Sequence, residues 1–343
     1  DGERRRVGLY DEEEQIDWYI PQMVAPRQTT IVEGDPGVGK SYWLMWLCIY
    51  LCDGKKLPWQ DKSDPTPEPK RVVYCDMENS AGSVTKVRLT DNGMKNLQNY
   101  AQFDQPFSVD DEESLDAFER DVIKPFRPHI VVIDPVNIYV GKADTYKASE
   151  TQQALQVLKD LSDEYGFALI IVRHLNKSHN GKALYAGGGS IAFAGVARII
   201  ATVGWHPEYP DVRVVACTKN NLSQPFGSIG YSIQPLPETM KRKNRSEIIY
   251  EGRMDLSSDD ILSTSNKKDE SSKYLAADLL REMLDKSEDG TVRYHKVLHQ
   301  ADLRSISESS LKKAAAELGL EKVSQGRGTN RVTILRAKDT SQA

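Results

Sequence analysis

The chain has 343 residues, 39% of them hydrophobic and 28% charged, with a formal net charge of -5. That length suffices for one large domain and a small one, in the composition range of globular proteins. A negative total excludes a global field for nucleic acid, so any such contact must come from local basic surfaces.

Residues 1–15 are charged and carry little pattern, so they read as an N-terminal tail, with order beginning near Ile16. From there strands and helices alternate. Buried strands are predicted at 29–33, 71–75, 130–133 and 168–172, with an apolar helix over 41–52 and a further helix over 149–165. Short β-branched runs separated by helices predict a largely parallel sheet covered on both faces. Residues 198–203 and 212–217 read as an antiparallel hairpin that extends it. Cys48 and Cys52 lie one turn apart in the apolar helix. Like Cys75 and Cys217 they lack CxxC pairing or histidines at zinc spacing, so all four read as buried thiols. No run reaches membrane-spanning length and no signal peptide opens the chain, so a cytoplasmic location without a membrane partner is expected.

Residues 256–272 turn to Ser, Asp, Asn and Lys and read as a linker, which bounds the first domain at 16–255. Beyond it an amphipathic helix over 273–284, a second helix over 306–318 stopped by Gly319, and a hairpin of 321–325 with 331–336 predict a winged helix-turn-helix over 273–338, followed by a short tail over 339–343. Residues 291–338 hold ten cationic and four acidic side chains in a chain that is acidic overall. Lys312 and Lys313 face outward on the second helix, and Arg327 sits at the hairpin tip. Duplex DNA and a replication protein both remain open as partners of this module.

The strongest signal is Gly34-Asp35-Pro36-Gly37-Val38-Gly39-Lys40-Ser41, a complete GxxxxGK[ST] between a strand and a helix. Its backbone N–H groups and the helix N-terminus suit the phosphates of ATP. Lys40 supplies a point charge to the β and γ phosphates, and Ser41 a hydroxyl to Mg²⁺. Asp134 ends the third strand, where a metal-holding carboxylate belongs. The next residue is Pro135, so the group that activates water must come from elsewhere. Glu78, after the second strand, is the preferred candidate and Asp76 the competing one. His174, after the fourth strand, lies at the same sheet edge and suits a γ-phosphate sensor.

Together these residues resemble the RecA-like ATPases, and within them the plasmid RepA-type hexameric helicases and related AAA-family ATPases of phages and mobile elements. The resemblance covers roughly residues 16–255. It implies that Glu78 is the catalytic base and His174 the sensor. It further implies that Arg198, ending the segment 189–198, is an arginine finger acting on a neighbour's ATP. Thr218-Lys219-Asn220-Asn221 resembles the segment supplying a second cation. Asn221 stands where related replicative helicases place arginine, which leaves Lys219 for that role. A homo-oligomer, a ring of six, is the implied assembly. Two long polar loops, 137–149 with Lys142 and Lys147 and 176–190 with Lys177 and Lys182, match those that grip single-stranded DNA in the ring channel. The implied activity is a DNA-stimulated ATPase and replicative helicase. A RecA-like repair or recombination ATPase and an ATP-gated DNA-binding regulator are the alternatives.

Overall fold

The computed structural model describes residues 15–105, 107–140, 148–175, 190–237, 245–285, 287, 291–303, 308–325 and 332–337. They fall into two compact units, Asp1–Leu262 and Ser263–Ala343.

The first unit is built on nine strands: β1 (Thr29–Gly34), β2 (Val72–Asp76), β3 (Tyr100–Phe103), β4 (Ile130–Asp134), β5 (Ala168–His174), β6 (Ile199–Trp205), β7 (Val212–Asn220), β8 (Ser228–Pro235) and β9 (Ser246–Met254). They form one sheet in the order β3-β2-β4-β5-β1-β6-β7-β8-β9. The first six positions run parallel, and β7, β8 and β9 add on antiparallel. Strands β1, β2 and β4 are buried at every residue, as strands covered on both faces must be.

Helices cover both faces. On one lies α1 (Lys40–Asp53), apolar all round and buried at eleven positions, as a core helix must be. Its Gly54 closes it in the left-handed conformation at φ 64°. Leu89 of α2 (Lys86–Asp91) packs on that face too, whereas Phe118 of α3 (Glu112–Phe118) and Phe126 of α4 (Lys124–Phe126) join the opposite one. On the other face α5 (Ala148–Tyr165) and α6 (Ser190–Val196) pack through Leu155, Leu158 and Phe193 against Ile133, Leu169 and Ile171.

Three features depart from the sequence reading. The hairpin predicted from β6 and β7 joins the last parallel strand to a three-stranded antiparallel extension, β7-β8-β9. The half-buried edge strand β3 was not predicted, because Tyr-Ala-Gln-Phe lacks a β-branched run. The two units divide within 256–272, where a linker was placed, but the segment is helical: helix α7 runs Ser258–Asp285. A reciprocal cap starts it. Ser257 N–H donates to Asp260 Oδ2 at 2.8 Å, and Asp260 N–H to Ser257 Oγ at 3.3 Å. Ile261 then buries against Val214 and Ala216 of β7, and local capping and burial outweigh a linker-like composition.

The second unit has its own core, with Leu279 and Leu280 of α7, Val297 of α8 (Tyr294–Leu303), Leu311 of α9 (Glu308–Glu317) and Leu335. Short strand β10 (Val292–Arg293) joins β11 (Leu320–Gln325) and β12 (Val332–Ala337) in a sheet ordered β10-β12-β11. Helix α8 and strand β10 were not predicted.

Candidate nucleotide site

Because β1, β2, β4 and β5 are parallel, their C-terminal ends share one rim of the sheet. Register places Gly34 opposite His174 and Asp76 opposite Asp134. The phosphate loop of residues 34–41 rises from that rim. Gly34 is required by space: a Cβ there would stand 2.3 Å from the Val203 carbonyl oxygen. Gly37 and Gly39 hold φ of 77° and 96°, where a side chain is strained. Gly39 is the N-cap of α1, and no side chain caps the helix. The amides of its first turn therefore present a partial positive charge to the loop.

Lys40 is buried, and its Nζ donates to the Gly34 and Asp35 carbonyls, each at 2.8 Å. It also meets His174 Nδ1 at 3.0 Å, which makes that nitrogen the acceptor and fixes the tautomer. Burial pushes the Lys40 ammonium down to about 8, opposed by Asp134, Asp35, Glu78 and Glu33. Burial and the Lys40 charge together lower the His174 imidazole. Beneath the loop, Arg173 Nε donates to Glu33 Oε2 at 2.7 Å in a buried ion pair, and Thr202 Oγ1 donates to Oε1 at 3.1 Å.

Asp134 is 3% exposed. Burial pushes its carboxyl up to about 6, against hydroxyl donors from Tyr74 and Ser41 and the charge of Lys40, while Asp76 adds to the rise. The Tyr74 hydroxyl lies 2.6 Å from Asp134 Oδ2. The two acidic candidates after β2 have different environments. The buried Asp76 accepts the N–H groups of Glu78 at 2.8 Å and Asn79 at 3.0 Å, and the Asn79 amide at 2.9 Å. Gln102 of β3 ties down the Asn79 carbonyl at 2.7 Å. Asp76 is thus spent on holding the turn, and Glu78 is carried exposed at the rim.

The structure therefore brings together Lys40, Ser41, Glu78, Asp134 and His174. It leaves Arg198 and Lys219 at the other end of the sheet. Arg198 is exposed, and its N–H donates to Thr29 O at the start of β1. The six residues of β1 separate that point from the loop by roughly 17 Å. Lys219 donates to Ala194 O at 2.6 Å and Ala197 O at 2.8 Å, capping the C-terminal end of α6. Burial and the neighbouring Arg198 lower its ammonium. Of the nucleic-acid candidates, Lys142, Lys147, Lys177, Lys182 and Arg327 lie outside the described residues. Lys312 and Lys313 are exposed on α9, with Lys312 3.1 Å from Glu308.

The site fits ATP with Mg²⁺. The loop is a cradle of glycines and amides around a buried ammonium, and a hydroxyl and a carboxylate, both oxygen donors, stand at its end. Fold and site define a RecA-like P-loop ATPase. The chain belongs to the AAA domain family, whose model matches residues 7–180. Among solved structures it is similar to the ATPase domain of another protein, at 15% identity over 60% of this chain and 81% of that one, with a TM-score of 0.46. It is also similar to the RadB recombinase, at 17% identity over 62% of this chain and 89% of that one, with a TM-score of 0.42. No curated protein sequence matches the chain.

The sequence reading missed Tyr74, Gln102 and the role of Asp76. Tyr74 carried one usable signal, since period-two alternation puts it on the same face of β2 as Asp76.

Proposed function

We propose that the chain is a DNA-stimulated ATPase motor that works as a ring, the replicative helicase of a plasmid, phage or other mobile element. The observation that carries this is the convergence of Lys40, Ser41, Glu78, Asp134 and His174 on one rim, with Asp76 spent on aiming Glu78. In this reading the loop amides and Lys40 bind the triphosphate, and Ser41 and Asp134 hold Mg²⁺. When bound, Mg²⁺ would supply Lewis-acid stabilisation of the charge that develops on the phosphate. Glu78 orients the attacking water and accepts its proton. His174 yields Lys40 to the terminal phosphate, regains it when that phosphate is lost, and transmits the change along β5.

Arg198 and Lys219 serve a neighbouring subunit's nucleotide in this reading, because their own lies across the sheet. Single-stranded DNA is assigned to the loops carrying Lys142, Lys147, Lys177 and Lys182. A winged-helix reading of the second unit assigns Lys312, Lys313 and Arg327 to duplex DNA or to a replication protein. The test is the rate of ATP hydrolysis with and without single-stranded DNA across protein concentration, followed by strand displacement on a forked duplex. Stimulation by DNA, a rate per chain that rises with concentration, and displacement are expected. ATP hydrolysis without displacement would favour a recombination ATPase, and negligible hydrolysis a gated regulator.

A further inference from the structure

We propose that Tyr74 is a positioning residue for Asp134: its buried hydroxyl holds one carboxylate oxygen and so sets which oxygen is presented to the divalent cation. The inference rests on the reading of Asp134 and Ser41 as the cation-holding pair.

Tyr74 stands in the middle of β2, where burial is complete and its neighbours Val72, Val73 and Cys75 are apolar. A hydroxyl at such a position is costly unless it is bonded. Its one short partner is Asp134 Oδ2, at the 2.6 Å typical of a hydroxyl on a carboxylate. The register explains the reach. Tyr74 pairs with Val132 and Asp76 with Asp134, so Tyr74 and Asp134 share a face and stand diagonal across adjacent parallel strands.

The ring is fixed from the side by Tyr100 of β3, stacked at 6.0 Å and 30°. From above, the hydroxyl lies 3.5 Å from the Ser41 carbonyl in the first turn of α1. Tyr74 therefore touches the carboxylate and the backbone of the residue whose hydroxyl is that carboxylate's other donor. A carboxylate torsion is broad and roughly two-fold when left alone. With Oδ2 held from within the protein, Oδ1 keeps its acceptor capacity for another partner. Partners of this kind around ligating groups set both orientation and basicity.

The test uses the full chain and a fluorescent ATP analogue, whose dissociation constant is measured without and with saturating Mg²⁺. The ratio of the two is the magnesium enhancement. Tyr74→Phe, which keeps the ring and removes one O–H, should lower that ratio about 10-fold while leaving the magnesium-free affinity unchanged. Asp134→Asn should remove the enhancement, and Tyr74→Phe added to it should change nothing more. A normal ratio in folded Tyr74→Phe, with the ratio lost in Asp134→Asn, overturns the proposal and leaves the cation assignment standing. A normal ratio in Asp134→Asn overturns both. An equal loss of affinity with and without magnesium in Tyr74→Phe makes the tyrosine merely structural and overturns the proposal as well. Tyr74→Leu gives the same reading should the phenylalanine variant fold poorly.

Discussion

The two ends of the parallel sheet differ in kind. At the C-terminal rim, opposite charges meet inside one chain: Lys40 and Asp134 act on each other's protonation, while Lys40 is bonded to the loop and to His174, and Asp134 to Tyr74. At the other end Arg198 and Lys219 are two cations close enough for one to depress the other, and among the described residues Lys219 is steadied by the carbonyls that end α6. In the ring reading, this lysine held by backbone dipoles, with the exposed Arg198 guanidinium beside it, is the surface offered to a neighbour's anion. In that reading, binding and charge compensation are divided between opposite edges. Under the proposed ring reading a complete site would need two copies of the chain, and the assembly would become part of the chemistry.

The sharpest way to break this comparison is at the far edge. Arg198→Ala should lower the ATP turnover rate by ~10⁴-fold while nucleotide affinity stays near normal, as for a finger that meets only the transition state. Glu78→Ala should cost ~10³-fold in turnover and still bind nucleotide. Mixing the two inactive variants should restore activity, because one supplies an intact rim and the other an intact finger. A mixture as inactive as its parts would place both functions in a single subunit. A smaller effect separates the two acids after β2. Asp76→Ala should reduce kcat about 10-fold with KM unchanged, since it loosens the turn without removing the base. A loss equal to that of Glu78→Ala would make Asp76 the base.

The smallest effect concerns pH. His174 is lowered by burial and by Lys40, so the unfolded chain binds its proton more readily than the folded one. That contribution to stability is present above the ordinary histidine value and is lost as pH falls through the folded value. Since the ring is exposed, His174→Asn should shrink the acid-induced drop in Tm between pH 7.5 and 5.5 by only about 1 °C. An unchanged drop would show that the contact with Lys40 carries no energetic weight.

The legibility of these features in the sequence follows their physical range. The loop at 34–41 was readable in full, because every demand it meets is local: positive φ, a close backbone approach and a helix start. Asp134, Glu78 and His174 were readable as strand-end residues, since four short buried runs announce their own ends. What escaped depends on pairs far apart in the chain. Tyr74 is read as an apolar strand residue until β4 is placed beside β2, and Asp76 looks like an alternative base until its carboxylate is seen bonded to the turn. Helix α7 was lost to composition. Its start depends on Ser257 and Asp260 exchanging bonds and on Ile261 finding β7, which no average over a polar window reveals.

Lys40 has one consequence beyond its own charge. An ammonium owns three protons, and here Gly34, Asp35 and His174 accept all three. A phosphate could therefore recruit this lysine only by substitution, and the side chain at the end of β5 is the partner with somewhere else to go. Occupancy and dismissal of the imidazole would be one event, so news of arrival reaches the neighbouring strand without any further relay.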